Sequence, residues 1–91
     1  MRYEWDEEKR QRNLKKHKVD FTAAAEFDGE AALVIPDTRR EYEEERLVAI
    51  GPVNSRLHVM ALTVRGEAVR VISLRKANGR ERNCYEETIG Q

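Results

Sequence analysis

The chain has 91 residues, 17 Lys plus Arg against 17 Asp plus Glu, and a formal charge of zero, with 37% of residues charged against the usual ~25%. That length fits one domain over residues 1–91, and only about 60–65% of the unfolded surface of such a chain is buried on folding, so a thin core is expected. The longest uncharged stretch, Leu47 to Ser55, is too short to span a bilayer, the N-terminus shows no secretory apolar segment, and one cysteine with two scattered histidines provides neither a disulfide nor a zinc site. A reduced cytoplasmic protein with no membrane segment, cofactor or metal is the expectation.

In chain order, Asp6 is an N-cap with Glu7 and Glu8 in the first turn, and the helix it starts runs to His17, turning basic toward its C-terminal end as the dipole favours. Leu14 is its one strongly apolar residue, so this helix should lie on the surface and pack weakly, with Trp5 sealing its start against the core. A second short helix is expected from Phe21 to Phe27, capped by Asp20 and ended by Asp28-Gly29. Strands follow at Ala32–Ile35, stopped by Pro36, at Glu45–Ile50, at Arg56–Val64 and at Val69–Arg75. Gly51 to Ser55 supplies the turn between the second and third strands, and residues 77 to about 89 read as a helix whose start is blurred by Asn78-Gly79. The fold class is α+β: two N-terminal helices, a four-stranded mainly antiparallel sheet and a C-terminal helix.

The last hairpin is specific enough to set a register. With Gly66 and Glu67 as the loop, Gly66 suits the first central position of a type II′ turn and Arg65 pairs with Ala68. Met60 then pairs with Ser73 and His58 with Arg75, so Ser73 and Arg75 share a face with Met60, Leu62 and Val71. Arg70, Ile72 and Leu74 fall on the opposite face.

Zero net charge is a sum of large local contributions. Residues 9–18 carry +6 and residues 47–80 carry +5, while acidic stretches lie between and around them. If the two basic segments converge they form a cationic groove, with residues 19–46 carrying the compensating charge elsewhere.

No phosphate-loop, dinucleotide, nucleophile-elbow or zinc-protease motif is present. Glu43-Glu44-Glu45 invites a cation-binding reading, but neighbours on a strand point to opposite faces, so a solvated edge is expected. Cys84 reads as a half-buried structural thiol and Tyr85 as a tyrosine at the edge of the core. The Ser73-Leu74-Arg75-Lys76 run is more suggestive: it mounts a hydroxyl and a guanidinium on one strand face. With Arg56, Arg65 and Arg70 it offers fork-shaped groups suited to phosphate.

Several of these residues form a spaced signature: Tyr3-Glu4-Trp5-Asp6, Lys9, Asn13, Lys16-His17, Val19 and Phe21, then Glu45-Arg46, Ile50-Gly51, Arg65, and Arg70 through Ala77, closing with Glu81-Arg82 and Tyr85. Over nearly the whole chain the pattern W-D-x-x-K-x-x-x-N-x-x-K-H, with I-S-x-R-K-A later, resembles the BrnT family, the toxin half of type II toxin–antitoxin pairs. Two positions depart: Lys18 and Leu47 stand where the family typically has Gly and often has Trp.

The resemblance implies a RelE-like fold and an endoribonuclease that halts translation. It also implies neutralisation by a BrnA-like ribbon-helix-helix antitoxin, through which alone the toxin would meet operator DNA. For metal-independent RNA cleavage the chemistry needs a base for the ribose 2′-OH, cations for the charge on phosphorus and an acid for the leaving 5′-oxygen. Lys16, Arg65 and Arg75 are the candidate cations and Ser73 a hydrogen-bond donor. His17 or Glu45 is the candidate base, and Tyr85 a stacking group or acid. The alternative is a binding module without catalysis, which partners a ribbon-helix-helix protein and tunes its operator binding.

Overall fold

The computed structural model describes residues 2–39 and 44–89. Five strands form one sheet: β1 (Arg2–Trp5), β2 (Leu33–Pro36), β3 (Leu47–Val53), β4 (Arg56–Arg65) and β5 (Ala68–Lys76), in the order β1-β5-β4-β3-β2. Strands β2 to β5 are the expected antiparallel meander, and β1 is an addition that lies parallel to β5, from Arg2 beside Ala68 to Trp5 beside Val71. Four residues with two charges carry little strand signal, and the partner lies at the far end of the chain. The legible cue was the alternation itself. Tyr3 and Trp5 pack on the core, while Glu4 accepts a hydrogen bond at 2.9 Å from Arg70, its neighbour on β5.

Helix α1 (Glu7–His17) begins as its cap predicts, with the Asp6 carboxylate accepting from the amides of Glu8 and Lys9. The expected second helix is instead a six-residue 3₁₀ segment, Phe21–Glu26, capped by Asp20 and followed by a shorter one at Gly29–Ala31. Phe21 and Ala24 are the buried residues of this segment, with Ala23 packed beside them, and a short 3₁₀ turn accommodates them. Trp5 meets Phe21 edge to face, with ring centroids 6.1 Å apart.

The β3–β4 connection is tighter than expected. Strand β3 starts at Leu47 rather than Glu45 and continues through Gly51 and Pro52, leaving Asn54-Ser55 as a two-residue turn with both φ positive, 48° and 74°. Pro52 is tolerated because its backbone points away from β4, its carbonyl accepting from the Asp28 amide at 3.0 Å. Gly51 is required by a close approach: a Cβ there would lie 3.0 Å from the Phe27 ring and 3.1 Å from Ala32.

The β4–β5 hairpin turns at Gly66 (φ 59°) as expected, with Arg65 opposite Ala68, but its register shifts by one after Leu62 pairs with Val71. Ile72 is the extra residue of a β-bulge. Beyond it Ala61 pairs with Ser73, Met60 with Leu74 and His58 with Lys76, so the expected pairs Met60–Ser73 and His58–Arg75 do not form. The bulge turns Leu74 into the core, fully buried, and brings Arg70, Ile72, Ser73 and Arg75 onto one face.

The sheet is covered unequally. Phe21, Ala24 and Val19 cover the face bearing Ala49, Met60, Leu62, Val71 and Leu74, to which the two aromatic residues of β1 also contribute. On the opposite face a smaller cluster forms around Ile50, Val59 and Ala77, with Tyr85 of helix α2 (Gly79–Thr88) packed against it. Helix α2 carries a complete capping box between Asn78 and Glu81.

Helix α1 is fastened by a polar residue rather than by Leu14, which is 38% exposed. The buried Asn13 carboxamide donates to the Leu74 carbonyl (2.7 Å) and the Val19 carbonyl (2.9 Å), and accepts from the Leu74 amide (3.2 Å). It pairs with Leu74 much as a strand would, where β1 has stopped. Asn13→Ala strands three buried backbone groups and is expected to cost about 3 kcal/mol in urea unfolding. Lys18 holds the left-handed position after α1 (φ 62°), its amide donating to the Leu14 carbonyl at 2.9 Å. Lys18→Gly is therefore expected to raise stability by about 0.5–1 kcal/mol in the same assay.

Candidate active site

The part of the sheet left uncovered by α2 is lined by the two basic segments. Lys9, Arg12 and Lys16 stand at i, i+3 and i+7 on one face of α1. With Asn13, His17 and Ile72 they line a cavity of 280 Å³. A second cavity of 270 Å³ shares Lys9 and Ile72 and extends to Thr63, Arg65, Arg70 and Glu44. A third, of 450 Å³, contains Ser73, Arg75 and Glu81 beside the Asp37–Arg39 segment. The basic segments therefore meet, as the charge pattern required.

Some of the compensating acids lie on this face rather than elsewhere. Arg65 forms a forked pair with Glu44 (2.5 and 3.1 Å), Arg70 is bonded to Glu4, and Arg75 forms a bidentate pair with Glu81 at 2.7 Å on both oxygens. Each guanidinium is thus aimed and screened by a carboxylate. Lys9 and Lys16 carry no ion pair among the described residues, and Arg12 has only a loose contact of 3.8 Å with Glu8.

His17, partly buried at the end of α1, has its pKa held below 6.5, first by burial and then by the positive charges of Lys16 and Arg75. Its imidazole is uncharged at neutral pH and stands within electrostatic reach of both cations. This differs from the protonated cap that a helix C-terminus alone would favour.

Of the residues singled out from the sequence, the structure brings Lys16, His17, Arg65, Ser73 and Arg75 to this face. It does not bring Glu45 or Tyr85. The Glu45 side chain is exposed and its carbonyl accepts from Thr63 Oγ1 at 2.8 Å. Tyr85 packs on the Ile50–Val59 cluster, its hydroxyl donating to the Ala31 carbonyl at 2.7 Å. Glu43, part of the acidic run, lies outside the described residues. Cys84 is exposed rather than half-buried. Among the described residues no three His, Cys, Asp or Glu side chains gather as a metal site would need, and no helix is long and apolar enough to cross a membrane. Sequence reasoning missed Lys9, Arg12, Glu44, Ile72 and Glu81. The helical spacing of the first two was a usable signal, and so was the Asn78–Glu81 capping box. The bulge that exposes Ile72 left none.

The site is thus the cationic open face of an α+β fold, with its guanidinium groups set in place by carboxylates. The chain belongs to the BrnT family: the family model described as the ribonuclease toxin BrnT of a type II toxin–antitoxin system matches residues 5–81. Among solved structures it is similar to the Brucella abortus ribonuclease toxin BrnT, with 34% identity and a TM-score of 0.67 over 86% of this chain and 97% of that one. No curated protein sequence matches it.

The Arg75–Glu81 pair generates a stability prediction. Arg75 is the chief cause that lowers the Glu81 pKa, with the Asn78 amide adding to it and burial opposing. A carboxylate with a depressed folded-state pKa contributes stability above its unfolded value, and that contribution is lost as pH falls through the folded value. Glu81→Gln should therefore cost about 1 kcal/mol at pH 7, and the gap to wild type should close as thermal unfolding is repeated at successively lower pH below 4.5.

Proposed function

We propose that this chain is an endoribonuclease toxin that cleaves RNA by metal-independent acid–base chemistry on the open face of the sheet. What supports this reading is one juxtaposition: a neutral imidazole, His17, within electrostatic reach of Lys16 and Arg75 in a chain of a ribonuclease-toxin family. A base and fixed cations are the groups that internal transesterification of RNA requires.

In this reading His17 removes the ribose 2′-OH proton. The 2′-oxygen forms a bond to phosphorus as the bond to the 5′-oxygen breaks, leaving a cyclic phosphate and a 5′-hydroxyl. Arg75 takes up the charge on the phosphoryl oxygens, Arg65 at the hairpin end of the sheet meets a phosphate further along the RNA, Ser73 donates a hydrogen bond, and the Lys16 ammonium protonates the departing 5′-oxygen. Glu45 lies outside the groove and the Tyr85 hydroxyl is bonded to Ala31, so neither is given a step. Arg75 is raised in pKa by Glu81 first and stays charged throughout.

The biological reading follows the family. Cleavage of cytoplasmic RNA inhibits translation, and a BrnA-like antitoxin with a ribbon-helix-helix domain neutralises the toxin and alone contacts operator DNA. The fold is read as RelE-like.

The test is cleavage of RNA by purified wild type in EDTA, with circular dichroism to confirm folding. His17→Gln is expected to lower kcat by about 100-fold or more, and Arg75→Ala kcat/KM at least about tenfold. Because the working base is the neutral imidazole and its pKa lies below 6.5, the wild-type rate should rise through that pKa and be level across neutral pH. A folded wild type that leaves RNA intact, and whose expression leaves growth unchanged, would favour the non-catalytic binding module.

A further inference from the structure

The open face of β5 presents four consecutive outward side chains, Arg70, Ile72, Ser73 and Arg75, and three of them are polar. Ile72 is the exception. As the extra residue of the bulge it has no partner on β4. A branched aliphatic side chain there stands on the floor of both the 270 Å³ and the 280 Å³ cavities, at the junction where Lys9 also contributes to both. Bulges re-aim a side chain at the cost of a ladder interruption, and they cluster beside active sites.

We infer that Ile72 is the apolar platform of a nucleobase subsite, so that a base of the bound RNA lies against its side chain while the adjoining phosphates meet Lys9 and Lys16. The inference rests on the ribonuclease reading above and adds the contact that seats the substrate. The charge around the platform selects the ligand. Lys9 and Lys16 have no ion pair among the described residues, so an apolar ligand without anionic flanks would leave both ammonium groups at its rim uncompensated. Arg70, at the same cavity, is engaged with Glu4 and adds breadth rather than free charge. A nucleotide supplies both parts: a flat apolar face to cover the isoleucine and a phosphate on either side. Such stacking is tolerant of base identity, because every base has a face to offer. Ile72 is thus a positioning residue that touches the base, while His17 and Arg75 are the groups proposed to act on the phosphodiester.

The experiment compares wild type, Ile72→Ala and Ile72→Phe on a short oligoribonucleotide and on the same oligonucleotide made abasic on both sides of the mapped cut. Ile72→Ala is expected to raise KM five- to tenfold with kcat within twofold, Ile72→Phe to match or lower the wild-type KM, and wild type and Ile72→Ala to coincide on the abasic substrate. An equal rise in KM on both substrates, or a fall in melting temperature with KM unchanged, would overturn the inference: Ile72 would then only pad the lysine stems of α1. Anisotropy titration of the oligonucleotide carrying a 2′-deoxyribose at the cut separates the two proposals. A five- to tenfold weaker Kd for Ile72→Ala alongside an inert wild type keeps the subsite and removes the ribonuclease; no difference in Kd removes the subsite whatever the cleavage assay gives.

Discussion

The hydrogen bonds between the Asn13 carboxamide and the backbone of Leu74 are the constraint on which both the fold and the open face depend. Strand β1 covers the edge of β5 only as far as Val71, and the bulge at Ile72 then breaks the ladder. Without a substitute, the Leu74 amide and carbonyl would be buried and unpaired on that edge. Asn13 provides one donor and one acceptor in the geometry of a strand neighbour, and its second amide proton reaches Val19, fixing where the chain leaves α1. A helix with one large apolar residue is thereby held against the sheet in one rotational setting. That setting turns Lys9, Arg12, Lys16 and His17 toward Ile72, so a polar anchor orients the cationic helix face.

Neutral net charge and a cationic face are reconciled by pairing. Three arginines of the sheet, Arg70, Arg75 and Arg65, are each held by a carboxylate from another element: Glu4 from β1, Glu81 from α2 and Glu44 from the segment before β3. A rigid guanidinium already oriented loses little side-chain entropy when a phosphate arrives, and the carboxylate keeps the free protein from presenting a bare positive field. The flexible lysines of α1 carry the unpaired charge. The same cations that suit an anion also lower the His17 pKa. A bound phosphate opposes them, and so raises the proton affinity of the imidazole as the substrate settles.

Much of this architecture was legible. Asp6, Asp20 and Gly66 each act where local chemistry placed them, the meander is in the expected order, and five of the seven singled-out side chains share the open face. What escaped has physical reasons. Strand β1 is a four-residue edge paired across the whole length of the chain, which no local pattern encodes. Glu45 and Tyr85 were chosen by chemical type and family position, yet one belongs to an exposed strand approach and the other to an apolar cluster. Asn13 lies on a helix expected at the surface, and the Leu74 backbone it satisfies is 61 residues away. Beside Leu47 lies a 190 Å³ apolar cavity lined by Phe27, Ala32 and Met60.

The bulge was the hardest feature to read, because Val69 through Leu74 is apolar enough to pair in either register. A regular hairpin would keep the ladder uninterrupted, so it is the side chains that favour the bulge. In the regular register Ser73 and Arg75 would face Met60 and Phe21, and Leu74 would lie on the solvated face. An unpaired guanidinium in that core costs several kcal/mol, and exposing Leu74 forfeits about 2 kcal/mol more. One interrupted ladder position with Asn13 in place costs far less. The end of β5 therefore bulges because it carries Ser73, Leu74 and Arg75 in that order, and the alignment of Arg70, Ile72, Ser73 and Arg75 on one face follows from burying a single leucine.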